Sequence, residues 1–90
     1  MNYDNLPFQT VHDMAEANSR QLVNKYRELA QATHKHALKG YYEFCANRVK
    51  DESEKMRTLT DKDAIIELLR QWRFELLQLD LKNHNRKGRP

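Results

Sequence analysis

Turn-forming residues are scarce in this chain, with two glycines and two prolines in 90 residues, and there is a single cysteine. So few turn residues exclude an all-β fold, whose many short strands need a Gly/Pro-rich turn every ten residues or so. Cys45 alone cannot form an intrachain disulfide, and it reads as a partly buried small hydrophobe suited to a reducing compartment. Long apolar runs are also missing. The longest in the most hydrophobic region is Ala64-Ile65-Ile66, far short of the roughly 20 residues needed to cross a bilayer. Met1-Asn2-Tyr3-Asp4 has neither a basic nor an apolar segment of the secretory type, so the expected location is cytoplasmic.

The motifs of catalysis are equally sparse. There is no phosphate-cradling glycine loop, no nucleophile elbow and no Ser-His-Asp order. His34 and His36 stand two apart, which on a helix turns them about 200° from each other, whereas zinc-binding helices use pairs three or four apart. Asp51-Glu52-Ser53-Glu54 alternates with Lys50, Lys55 and Arg57 in the manner of a solvated helix face. The expectation is a protein that is not an enzyme, with no metal and no cofactor.

What is present is an amphipathic ladder. After Thr60 and Asp61, both helix-capping types, come Ile65, Leu69, Trp72, Leu76 and Leu79, spaced four, three, four and three. That spacing aligns them on one helix face, a seam requiring a second helix to cover it. Upstream, Thr10 reads as an N-cap with Asp13 and Glu16 behind it. From Val11 to about Arg57 there is no proline and one glycine, Gly40. This stretch is one long helix or two joined at Gly40, and the helical character on both sides of Gly40 favours continuity.

The fold expected is all-α: a coiled-coil-like helical hairpin over residues 10–83 with its turn near 58–61, preceded by a lead-in over 1–9 and followed by a flexible basic tail over 84–90. Folding back places Tyr41 and Phe44 in the hairpin core with Ile65, Leu69, Trp72, Leu76 and Leu79. The long helix would measure roughly 70 Å and the second roughly 33 Å. Its first half is therefore left without a partner, and Leu22, Tyr26 and Leu29 become the candidate contact face. Phe74, off the main seam, joins them. The mismatch, in so small a domain, implies homo-oligomerisation.

Charge is concentrated at one end. Four of the sixteen basic residues, Lys82, Arg86, Lys87 and Arg89, follow Leu81 with no acid among them, leaving twelve basic against thirteen acidic residues elsewhere. These four are the candidates for nucleic-acid contact, though four charges are few for useful affinity at physiological salt.

Three stretches carry a family resemblance: Ala15-Glu16-Ala17-Asn18, Glu28-Leu29-Ala30-Gln31, and Asp61-Lys62-Asp63-Ala64-Ile65-Ile66-Glu67-Leu68-Leu69. Together they resemble the phasins, bacterial helical proteins that coat polyhydroxyalkanoate granules, over about Phe8 to Leu79. The third is similar to a phasin turn of the form Asp-Pro-x-Glu-Ala-Ile-Glu-Leu-Gln, with Lys62 in place of proline and Leu69 in place of glutamine. The resemblance implies amphipathic helices covering a hydrophobic polymer, charged faces toward the cytoplasm, self-association, and no catalytic residue. The alternative is a small helical interaction adaptor or regulatory protein whose basic tail contacts nucleic acid or an acidic partner.

Overall fold

The computed structural model describes residues 3–87, with side chains through Lys82. A 3-10 turn over Tyr3–Asn5 leads into three α-helices, α1 (Phe8–Ala32), α2 (His36–Met56) and α3 (Lys62–Lys87), and no strand occurs among the described residues. The all-α expectation holds, but a three-helix bundle replaces the two-helix hairpin. α1 is the central element, packed along one side by α2 and along another by α3.

The expected long helix breaks at 33–35 instead of continuing to Arg57. Thr33 and Lys35 take extended backbone angles, and the Lys35 N–H donates to Thr33 Oγ1 at 3.2 Å. A threonine hydroxyl that captures a nearby amide gives the backbone an alternative to the helical ladder. Gly40 does not interrupt anything, lying inside α2 with open space around the position of a Cβ.

The other boundaries follow local chemistry. α1 starts after Pro7, with Val11 N–H donating to the Pro7 carbonyl at 3.1 Å, so Thr10 is inside the first turn and is not the cap. Proline suits this position because its missing N–H costs nothing there and its φ is already set. Asp61 does cap α3, its Oδ1 accepting from Asp63 N–H at 3.1 Å. The turn before it is held by Thr58 Oγ1 donating to the Lys55 carbonyl at 2.8 Å. The lead-in is structured too: Tyr3 is buried, beneath the Arg70 guanidinium 5.8 Å from its ring centre.

The core draws on every helix. Val11, Ala15, Leu22, Val23, Tyr26 and Ala30 come from α1. Cys45, Ala46, Val49 and Met56 come from α2, and Ile65, Ile66, Leu69 and Trp72 from α3. α3's inner seam is closed through Trp72 and loosens beyond it, where Leu76 and Leu79 are half-buried. Tyr41 and Phe44, expected in the core, are instead 57% and 66% exposed. α2 turns Cys45, Ala46 and Val49 inward in their place. Once the long helix breaks, α2 is free to rotate to the face that packs best on α1. The backbone of α3 runs on to Lys87, so the start of the expected flexible tail is helical, while residues 88–90 lie outside the described residues.

Candidate functional site

Two features stand out from ordinary bundle packing: a polar cluster joining all three helices and an apolar stripe on the outside of α3. The cluster centres on Glu75, whose Oε1 accepts from both the Tyr26 hydroxyl of α1 and the Arg48 guanidinium of α2. Arg48 also pairs with Glu52 at 3.2 Å, and Glu52 accepts from Trp72 Nε1 at 3.0 Å. Two carboxylates thus share one guanidinium, with a phenol and an indole N–H supplying further donors.

The electrostatics are those of a fixed network. Burial, followed by the hydrogen bond to Glu75 and that group's negative charge, pushes the Tyr26 hydroxyl far above the usual tyrosine range. It therefore stays protonated and donating. Burial alone would lower the pKa of Arg48, but Glu75 and Glu52 outweigh it and the net direction is upward. These groups satisfy one another, and none is presented as a poised acid, base or nucleophile. The cluster fixes the angular position of α3 relative to α1 and α2.

The stripe has the opposite character. Phe74, Leu77 and Leu81 are 62%, 55% and 49% exposed. At three- and four-residue spacing they align on one face, and Phe74 lies about 200° around the helix from the buried Trp72. α3 is therefore apolar on its inner and outer sides at once. Beside the stripe, a groove of about 480 Å³ between α1 and α3 is lined by Asn18, Gln21, Arg73, Phe74, Leu76, Leu77 and Asp80. A second groove, of about 270 Å³ between α1 and α2, is edged by Arg20, Arg27 and Lys50, with Arg57 held by Glu16 at 2.9 Å.

The residues expected to form the contact face separate in this structure. Leu22 and Tyr26 are buried in the core and Leu29 is half-buried, because α2 and α3 both pack along the part of α1 that the two-helix reading left bare. Phe74 is exposed, together with Leu77 and Leu81, which the sequence reading missed although their spacing from Phe74 is the usual helical one. Of the tail cations, Lys82 is exposed, while the side chains of Arg86 and Lys87 and the whole of Arg89 lie outside the described residues. Cys45 is buried. Among the described residues no group of three or more His, Cys, Asp or Glu side chains is placed to hold a metal ion, and no helix is long and apolar enough to cross a membrane.

Comparison of the chain with protein-family models, with curated proteins and with solved structures finds no match.

Proposed function

We propose that this protein is a non-catalytic, phasin-like helical protein that associates with an apolar surface, such as a polyhydroxyalkanoate granule in the bacterial cytoplasm, and docks through the outer stripe of α3. The observation that carries this reading is the alignment of Phe74, Leu77 and Leu81 on one exposed face. Three large apolar side chains in register on a helix already anchored by its opposite side form a patch of the kind that marks interaction sites. The guanidinium groups of neighbouring Arg70 and Arg73 are held at Tyr3, the first 5.8 Å from its ring centre and the second donating to its hydroxyl at 2.7 Å. The same stripe supports self-association, one α3 against the α3 of a second copy in a coiled-coil-like contact, when no surface is available.

Co-sedimentation with polyhydroxyalkanoate particles over increasing salt tests the reading. Apolar docking persists as salt rises, whereas electrostatic attachment fades over the same range. The double substitution Leu77→Asp, Leu81→Asp abolishes docking and leaves the circular dichroism spectrum unchanged, since both side chains already face water. Retention of binding by that variant would place the contact elsewhere. A parent protein that ignores the particles but binds DNA with a steep salt dependence would favour the adaptor reading, with the basic end of α3 as its contact.

A further inference from the structure

We propose that the outer stripe of α3 is a two-fold dimer face, on which the α3 of a second copy packs antiparallel in a register set by Arg73 and Asp80. The inference rests on the reading of that stripe as a contact face and names its partner in solution.

The residues flanking the stripe carry the argument. Phe74, Leu77 and Leu81 form a seam at steps of three and four. Arg73 and Asp80 lie about 80° to one side of it, and Gln71 and Gln78 about 80° to the other. All four flanking residues are exposed. Arg73 and Asp80 line the groove between α1 and α3 together with Phe74 and Leu77, which places the charged flank on the edge toward α1. That flank carries one charge of each sign, seven residues apart, and the opposite flank carries amides only.

An antiparallel two-fold sets each flank against its own copy, whereas a parallel pair sets each against the other. With Phe74 against the partner's Leu77, and Leu77 against the partner's Phe74, two apolar layers form about the axis. The same register brings Arg73 opposite the partner's Asp80 and Asp80 opposite the partner's Arg73, while Gln71 meets the partner's Gln78. Sliding one helix by seven residues sets Asp80 against the partner's Asp80 in one direction and Arg73 against the partner's Arg73 in the other. Both slides are penalised by like charges. In a parallel pair, Arg73 and Asp80 face the amide flank and find no opposite charge. Apolar layers and charges therefore select one orientation and one register. Both charged groups have capacity left for the contact. Asp80 is exposed beyond its 3.5 Å pair with Lys25, and the Arg73 guanidinium, with five N–H donors, gives one to the Tyr3 hydroxyl. Because the dimer covers Leu77, pairing and docking on an apolar surface exclude each other.

Charge reversal tests the register. Asp80→Arg leaves only cations on the flank, and Arg73→Asp leaves only acids. Sedimentation equilibrium should show a reversible dimer for the parent chain and ~10-fold or more weaker pairing for each variant alone. Mixing the two variants should restore pairing to the parent's strength, because each now meets the opposite charge. Circular dichroism checks that both are folded. Since Arg73→Asp also loses the bond to Tyr3, Asp80→Asn supplies a second measurement: it should weaken pairing at low salt and flatten the salt dependence seen in the parent. A parent chain that stays monomeric up to ~1 mM would overturn the proposal. So would a mixture no tighter than its separate components, or pairing indifferent to Asp80→Asn. Adsorption to polyhydroxyalkanoate particles separates the two readings, because docking needs the stripe and not the ion pairs. A parent that pairs as described without adsorbing upholds the dimer and removes only the surface reading, and a monomeric parent that adsorbs does the reverse.

Discussion

Replacing Leu69 with alanine discriminates sharply between the two faces of α3. Leu69 is fully buried on the inner seam, one turn from Trp72, whereas Leu77 on the outer face is more than half exposed. Truncation at a fully buried leucine removes its transfer free energy and leaves a cavity, a loss of roughly 2–5 kcal/mol. Taking ~3 kcal/mol for Leu69→Ala, this is a large fraction of the roughly 5–13 kcal/mol expected for a domain of this size. The corresponding fall in Tm is about 12–24 °C. Leu76→Ala, at a half-buried position, should lose only ~1–2 kcal/mol because the site is already partly hydrated. Leu77→Ala should stay within ~0.5 kcal/mol. Urea unfolding followed by the emission of Trp72, the single tryptophan, measures all three on one scale. Equal losses at Leu69 and Leu77, or a change within ~0.5 kcal/mol at Leu69, would refute the assignment of inner and outer faces.

The helix break and the polar cluster give three further expectations. His36→Pro should be tolerated within ~0.5 kcal/mol in a urea titration, because residue 36 opens α2 and Lys35 before it is already extended; an uninterrupted helix there would lose ~3 kcal/mol. Gly40→Ala should stabilise the protein by ~0.5–1 kcal/mol, since the position is helical and open, and a loss in the same titration would show that a Cβ meets something there. Tyr26 titrates higher folded than its ordinary value of 10.0, so its contribution is whole below about pH 10 and is lost as pH rises from there toward the folded pKa. Tyr26→Phe should therefore flatten the alkaline fall in stability, and an unchanged slope above pH 10 would mean that the hydroxyl is not held by Glu75.

The helical class and α3 were legible in the sequence because each rests on local information. Scarce turn residues, the Asp61 cap and the regular spacing from Ile65 to Leu79 are properties of neighbouring positions, and the structure keeps all of them. The break at 33–35 was harder to see. Thr33-His34-Lys35 contains no glycine or proline, and the bond from Lys35 N–H to Thr33 Oγ1 is worth little until α2 gains by packing back on α1. Gly40 was the more conspicuous candidate, yet a single glycine inside a helix costs only ~1 kcal/mol, which packing on one side of α2 readily offsets.

The contact face shows the same division. Sequence alone determined which residues are apolar and which share a helical face, since periodicity follows from 3.6 residues per turn whatever the surroundings. It did not determine which apolar face would be covered. That depended on the number of helices, and the extra break turned a bare half-helix into the centre of a bundle. Leu22 and Tyr26 were thereby buried, while Phe74, Leu77 and Leu81 remained exposed. The joining of Tyr26, Arg48, Glu52, Trp72 and Glu75 was likewise a tertiary decision. Residues 49 positions apart meet only after three helices have taken their places, and no local spacing encodes that meeting.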